Sequence, residues 1–482
     1  MVAIGEGNFG CVYKAKCRNK DVVVKVLRGN PMDVKTWKSF VDEVFIMSTR
    51  LHPNICLFMG ACSQPGSYFI IQEYMEGGDV EKALRNSDIP MSLYRRMQIA
   101  YEASLGIDWL HRSNLIHRDI KTSNLLIDSH GTVKVCDFGL SVVVPSQSMM
   151  RDTDFARGTP LYMAPEVMEF QAFNEKADVY SFGIVLWELL TRKDPFSHHS
   201  DYETFKHSIC EKHERPIIPQ GTEPSISKLI QSCWSANPQS RPSFDVITKS
   251  LQHILVDVAV SDPIGRKLWK TYFIERDFKE KVSWPIFKKA LIETLHLPMM
   301  DIEFTDSLEE NLKCLHAVLV VQQSIPESEQ HKEDVVTLQN WGKTLLWFGP
   351  IGDPQTTAPN LTFLHDINQI LKETWFHGDI DTKRADELLT SKPSGTFLIR
   401  FSSSTEGWFT LSQINDKLIQ HFRVSHSPGQ PYVLDKILYS SLYDLVSQRG
   451  LTQPCTGSKY ERLFDESKVS IYDNVDMNYK RK

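Results

Sequence analysis

Five short motifs stand in a fixed order between residues 5 and 166, and no other property of the chain restricts its fold so tightly. The first, Gly5-Glu6-Gly7-Asn8-Phe9-Gly10-Cys11-Val12, has the spacing GxGxxGxV, whose glycines let backbone amides approach phosphate oxygens without interference from Cβ. Alone it is a weak signal, because dinucleotide-binding folds use the same spacing to open a helix. Here β-branched Val12 and aromatic Tyr13 continue into an extended run, which predicts a hairpin closing over a triphosphate. Lys25 follows inside the run Val22-Val23-Val24-Lys25-Val26-Leu27. A lysine in an apolar strand marks either an edge position or a contact to the α and β phosphates. The next helical segment offers Glu43 as its ion-pair partner, with Asp42 the adjacent alternative.

The third motif, His117-Arg118-Asp119-Ile120-Lys121-Thr122-Ser123-Asn124, carries acid-base chemistry. Asp119 can accept the proton of an attacking hydroxyl, Lys121 can balance charge on a transferring phosphoryl group, and Asn124 can hold a metal ion. Asp137-Phe138-Gly139 adds a second carboxylate suited to Mg²⁺. A phosphoryl group in transfer demands positioning and charge neutralisation more than covalent chemistry, and these cations and carboxylates offer both. Ala164-Pro165-Glu166 completes the series, Glu166 being expected to pair with Arg241 in a structural bond. Any one of these triplets is commonplace; the ordered set is not.

Residues 1–257 therefore resemble a eukaryotic protein kinase domain, which implies a two-lobed fold with ATP and Mg²⁺ as cofactors. Leu57-Phe58-Met59-Gly60-Ala61-Cys62, Cys233-Trp234 and Asp178-Val179-Tyr180-Ser181-Phe182-Gly183 resemble the tyrosine-kinase-like group. By the same resemblance, Ile4, Val12, Val23 and Leu126 wall the nucleotide site, Glu73 to Met75 form its hinge, and Gln72 is the gatekeeper. Lys121 and the run Gly158-Thr159-Pro160-Leu161-Tyr162 resemble serine/threonine kinases, so serine/threonine transfer is expected, with tyrosine left open as a second acceptor. Ser141, Ser146, Ser148 and Thr153 are candidate regulatory phosphoacceptors, with Arg118 available to bind the phosphate. Cys136 reads as a buried small thiol ahead of a nucleotide contact. Met1 stands only four residues before Gly5, so the first strand of the fold is expected to be nearly absent.

A second phosphate chemistry lies near the other end. In the extended run Thr396-Phe397-Leu398-Ile399-Arg400-Phe401, Leu398 and Arg400 share one face and Phe397, Ile399 and Phe401 the other. A guanidinium rooted in such a strand is costly unless an anion meets it, and its planar fork suits two phosphate oxygens. Ser402, Ser403, Ser404 and Thr405 follow immediately, and His421 shares a face with Arg423 on a later run. Trp375-Phe376-His377-Gly378, Phe397-Leu398-Ile399-Arg400 and Leu442-Tyr443-Asp444-Leu445-Val446 resemble a Src homology 2 (SH2) domain. That resemblance implies an antiparallel sheet flanked by two helices over residues 375–464, with Arg400, Ser402, Ser403, Ser404 and His421 binding phosphotyrosine. Family members often carry a second basic residue early in the first helix; the matching position here is Thr382.

The expected architecture is an α+β multidomain chain: kinase, linker at 258–374, SH2 fold, and a disordered tail at 465–482 whose Tyr472 could be a phosphotyrosine ligand in cis. Leu308, Leu312, Leu315 and Leu319 give one helical face in the linker, which reads as mainly helical with a polar loop from Pro326 to Asp334. It resembles the EF-hand-like linkers that pack against SH2 domains. Calcium does not follow, since a loop opening at Asp301 offers Asp306 and Leu312 where Gly and Glu are needed.

A net charge of -6 with dispersed Lys and Arg argues against nucleic acid. Nine scattered cysteines without a CxxC pair fit reduced thiols in the cytoplasm. The most apolar windows fall short of the roughly 20 residues of a membrane span, leaving peripheral recruitment through phosphotyrosine partners. The order of kinase, linker and SH2 resembles the Shk type, SH2-bearing kinases described as dual-specificity. The competing class is a catalytically silent phosphotyrosine-binding scaffold.

Overall fold

The computed structural model describes residues 1–7, 10–27, 34–49, 51–64, 67–144, 149–150, 158–275, 278–296, 302–325, 328–352, 362–416 and 418–464. They form two compact units, Met1–Leu255 and Val256–Lys482. The expected sites Asn8, Phe9, Ser146, Ser148, Thr153 and Tyr472 lie outside the described residues.

The first unit opens with an antiparallel sheet of β1 (Val2–Gly7), β2 (Gly10–Cys17), β3 (Lys20–Leu27), β4 (Phe58–Gln64) and β5 (Ser67–Glu73), in the order β1-β2-β3-β5-β4. β1, expected to be nearly absent, spans six residues and pairs with β2, Gly7 facing Gly10 across the hairpin. A Cβ at Gly10 would lie 1.7 Å from the Val26 carbonyl oxygen, so the third glycine is fixed by the approach of β3. Between β2 and β3 the two-residue turn Arg18-Asn19 has both φ angles positive, 48° and 65°, matching the twist of the strands. Val22 and Val24 alternate into the core. Helix α1 (Val34–Thr49) turns Phe40, Ile46 and Met47 inward, and the polar Glu43 shares that buried face.

Helices dominate the rest of this unit. α2 (Leu93–Arg112) starts at Ser92, whose hydroxyl accepts from the Arg95 amide. α3 (Lys176–Thr191) is buried from Ala177 through Leu189, the pattern of a central helix, and ends where Arg192 adopts φ 57°. The catalytic-loop motif sits between α2 and a small sheet of Leu125–Ile127 and Val133–Val135.

The second unit holds both linker and SH2 segment. Leu308, Leu312, Leu315 and Leu319 are buried on α4 (Ile302–Leu319), as their spacing predicts. This stretch is mainly helical, as expected, but the reading of a polar loop within it needs correcting. β6 (Lys281–Ser283), β7 (Val321–Ile325) and β8 (Ser328–Thr337) form a three-stranded sheet in the order β6-β8-β7, so most of the supposed loop from Pro326 to Asp334 is strand. Its polar residues are held by ladder pairs such as Gln322 with Asp334, and backbone pairing requires no apolar side chains. Trp269, Phe273, Phe287 and Trp341 pack into one aromatic cluster, Trp341 on α5 (Leu338–Phe348) donating to the Gly265 carbonyl.

β9 (Phe376–Gly378), β10 (Thr396–Phe401), β11 (Phe409–Asn415) and β12 (Leu418–Val424) make the second sheet. β9 and the short strand Gln453–Pro454 both run parallel to β10, and the remaining neighbours are antiparallel. Flanking helices are α6 (Thr382–Leu389) and α7 (Leu442–Gln448). The linker is joined to this sheet: Trp347 of α5 stacks on Phe401 with centroids 3.7 Å apart and planes at 12°, and Lys343 pairs with Glu406 at 3.1 Å.

Candidate functional site

The alternation that buries Val22 and Val24 places Lys25 on the opposite face of β3. Its Nζ lies 2.9 Å from Glu43 Oε1 and 2.9 Å from Asp137 Oδ1, so the helix partner is Glu43 rather than Asp42. Burial works against the ammonium, but the two carboxylates outweigh it and raise the Lys25 pKa. Burial likewise opposes the Asp137 carboxylate, and Lys25 reverses that, holding its pKa below the ordinary value. Asp137 takes φ 64°, which turns its side chain toward β3 while Phe138 remains buried. Glu73 closes the hinge end, accepting from the Leu57 amide at 2.6 Å and pairing with Lys134 at 2.8 Å. Met75 is buried beside Cys56, Cys136 and Leu126. Cys136 is a buried thiol whose sulfur donates to the Asn124 carbonyl. Val12 and Val23 are half-buried, Ile4 is exposed, and Gln72 contacts the Met47 sulfur at 3.2 Å.

In the catalytic loop, Asp119 Oδ2 meets Lys121 Nζ at 2.8 Å and Asn124 Nδ2 at 3.0 Å. Its Oδ1 accepts from the amide of Thr159 at 3.1 Å and from its hydroxyl at 2.8 Å. That hydroxyl also accepts from Lys121 at 2.8 Å. A protein hydroxyl thus sits between the carboxylate and the ammonium, the surroundings an acceptor hydroxyl needs. Sequence reasoning gave Thr159 no such role; the signal was its place just before the Ala-Pro-Glu motif. Asp178, also unassigned, is buried and accepts from the His117 and Arg118 amides and from His111 Nε2, each at 2.8 Å. Burial alone would raise this carboxyl, yet His111 and His117 hold it below the ordinary value. Glu188 anchors the loop from below, accepting from Thr122 at 3.1 Å and Tyr162 at 2.7 Å and pairing with Arg85 at 2.7 Å. Glu166 and Arg241 form the expected bidentate pair at 2.6 and 2.8 Å. Ser141 donates to the His117 carbonyl at 3.3 Å.

In the second unit the two faces of β10 separate as alternation requires. Phe401 lies against Trp347, while Leu398 packs on Ala385 and Leu389 of α6. Arg400 is 2% exposed and faces the same helix, Nη2 donating to Thr382 Oγ1 at 2.8 Å and Nη1 to its neighbour's carbonyl at 3.3 Å. Its Nε is buried without a hydrogen-bond partner among the described residues. Burial lowers the Arg400 pKa, against the pull of Asp386 and then Asp381. Ser402 and Ser404 hydroxyls are 3.3 Å apart and the Thr405 amide donates to Ser402, while Ser403 is exposed. His421 bonds Ser412 through Nδ1 at 2.9 Å and meets Asp386 Oδ1 through Nε2 at 3.1 Å. Asp386 is the pocket residue that sequence reasoning missed.

Residues 1–251 match the family model described as protein tyrosine and serine/threonine kinase, and residues 375–448 match that of the SH2 domain. The chain is 47% identical over 452 residues to the dual specificity protein kinase shkC of Dictyostelium discoideum, covering 93% of this chain and 87% of that one. With the dual specificity protein kinase shkA of the same organism it shares 40% identity over 492 residues, covering 98% and 90%. Similarity to the serine/threonine-protein kinase CTR1 of Arabidopsis thaliana, 40% over 264 residues, spans 54% of this chain and 32% of that one.

Proposed function

We infer the function from kinship: this chain belongs to the Shk family of dual specificity protein kinases with an SH2 domain, and it is a dual specificity protein kinase. Its kinase domain uses ATP. Within that activity, Asp119 takes the proton of the acceptor hydroxyl and Lys121 balances the phosphoryl charge, the two positions that Thr159 bridges. Lys25, held by Glu43, meets the α and β phosphates, and the backbone at Gly5, Gly7 and Gly10 covers them. Ile4, Val12, Val23 and Leu126 wall the base, with the Glu73–Met75 backbone as hinge. Asp137 and Asn124 offer a carboxylate and a carboxamide oxygen, hard donors that fit Mg²⁺, which would screen the phosphate charge. The observation that carries this reading is Lys25 bonded at once to Glu43 and Asp137, for it joins the glycine-loop sheet to the metal-binding motif.

The SH2 domain recruits the kinase to phosphotyrosine proteins in signal transduction, with Arg400 as the principal contact and Ser402, Ser403, Ser404 and His421 around it. The orphaned Nε of Arg400 supports this, since a phosphate oxygen would supply the partner it lacks. The segment 258–374 is a spacer, anchored to the SH2 sheet by Trp347. Its EF-hand-like kinship rests on the arrangement of linker and SH2 domain alone. The cytoplasm, with peripheral recruitment to membranes through partners, is the compartment that suits nine unpaired thiols. No helix among the described residues is long and apolar enough to cross a membrane.

Incubation of the purified chain with radiolabelled ATP and Mg²⁺, followed by phosphoamino-acid analysis, tests the catalytic assignment. Label should appear on serine or threonine and on tyrosine, and should vanish in Asp119→Asn. Label persisting at the wild-type rate in that variant would remove Asp119 from its role.

A further inference from the structure

The phosphotyrosine pocket holds an anion of its own. Asp386 lies one helical turn after Thr382 on α6, so both side chains lie on the side of the helix that faces Arg400. Its Oδ1 lies 3.1 Å from His421 Nε2 and makes no hydrogen bond among the described residues, although that atom is buried on a side chain that is 45% exposed. Burial lowers the Arg400 pKa, and Asp386 and then Asp381 pull against it. Of the two groups expected to clamp a phosphate, His421 therefore already meets a carboxylate, and that carboxylate stands one turn from the Thr382 hydroxyl that Arg400 holds. Where a second cation would help, Thr382 supplies only a hydroxyl, and Arg400 already donates to it.

We propose that Asp386 is a specificity-determining residue of this pocket, a built-in competitor that lowers its affinity for phosphate. This rests on the phosphotyrosine reading of Arg400. An arriving phosphate dianion has to take Arg400 Nη2 from Thr382 and draw His421 away from Asp386. While bound, it lies in the field of that carboxylate. Like charges held in one site disfavour each other by about a factor of ten or more. Weak intrinsic phosphate affinity makes recognition depend on the residues flanking the phosphotyrosine and on a high local concentration of ligand. A tight generic phosphate clamp would instead bind any phosphotyrosine.

Calorimetric titration of the full chain with phenyl phosphate, a probe free of peptide contacts, tests this at low and high ionic strength. Asp386→Asn should bind about tenfold more tightly than wild type at low salt, and the gain should shrink as salt screens the charge. Asp386→Ala removes the charge without leaving an amide to hold His421, and should gain likewise. Arg400→Ala should lose the binding altogether. If Arg400→Ala binds as wild type does, the phosphotyrosine reading itself fails. If Arg400→Ala loses binding while neither Asp386 variant gains, or their gain is insensitive to salt, that reading stands and the competitor role of Asp386 is overturned.

Discussion

Lys25 and Arg400 are both cations rooted in apolar strands, yet they are balanced differently. Lys25 is held by two carboxylates at 2.9 Å, each from a different part of its unit. Arg400 is held by a threonine hydroxyl and a main-chain carbonyl, with one nitrogen left over. The first arrangement fixes a geometry before any ligand arrives, as befits a site that must orient a triphosphate. The second leaves Arg400 Nε without a hydrogen bond among the described residues, which suits the phosphate proposed for it. The Lys25 cluster is preorganised by its own charges; the Arg400 cluster is held by neutral groups, with Asp386 reaching only His421.

The largest test of that contrast is a crossed pair of variants. Asp119→Asn should lower kcat by about a thousandfold, the scale of a lost general base, while leaving phosphopeptide binding at its wild-type value. Arg400→Ala should do the reverse, weakening phosphopeptide binding by about a hundredfold through lost charge-assisted hydrogen bonds, with kcat on a free peptide unchanged. Kinase assays and titrations on the same preparations check both, and any cross-effect would mean that the two sites are coupled.

A smaller effect is expected at Thr159, which orders the cleft from outside the catalytic motif. Thr159→Val keeps the shape and removes the hydroxyl between Asp119 and Lys121. It should cost about tenfold in kcat, the worth of one hydrogen bond to a charged group, with Thr159→Ser restoring most of the loss. Smallest is a pH effect on the pillar of the loop. The Asp178 carboxyl is held below its ordinary value in the fold. Its contribution to stability is therefore complete above about pH 4, the ordinary carboxylate value, and is lost as pH falls through the lower folded value. Thermal melts between pH 6 and 3, a range spanning about that value, should show wild type losing stability more steeply than Asp178→Asn. Parallel slopes would remove Asp178 from the acid response.

Much of the cleft was legible because its residues are tied to local motifs whose order the chain displays. Spacing led to Glu43 even beside Asp42, and the pairing of Glu166 with Arg241 could be named across 75 positions. Thr159 and Asp178 were harder, since their partners in the catalytic loop lie 40 and 60 residues away and nothing in the intervening sequence marks the contact. The strand Ser328–Thr337 escaped notice for a different reason: most of its residues are polar, so it carries no two-residue hydrophobic period to read. Asp386 escaped because a carboxylate on a surface helix is ordinary in sequence, and only the fold sets it beside His421 and Arg400.

Trp347 stacked on Phe401 bears on where this protein can be divided. Phe401 directly follows Arg400 on β10, so the ring that covers it steadies the strand that presents the guanidinium. A fragment beginning at Trp375 would carry the whole SH2 motif and still uncover Phe401, losing the stack, the bond from Trp347 Nε1 to the Trp408 carbonyl and the Lys343 pair with Glu406. A piece that begins near Val256, where the second compact unit does, keeps all three contacts.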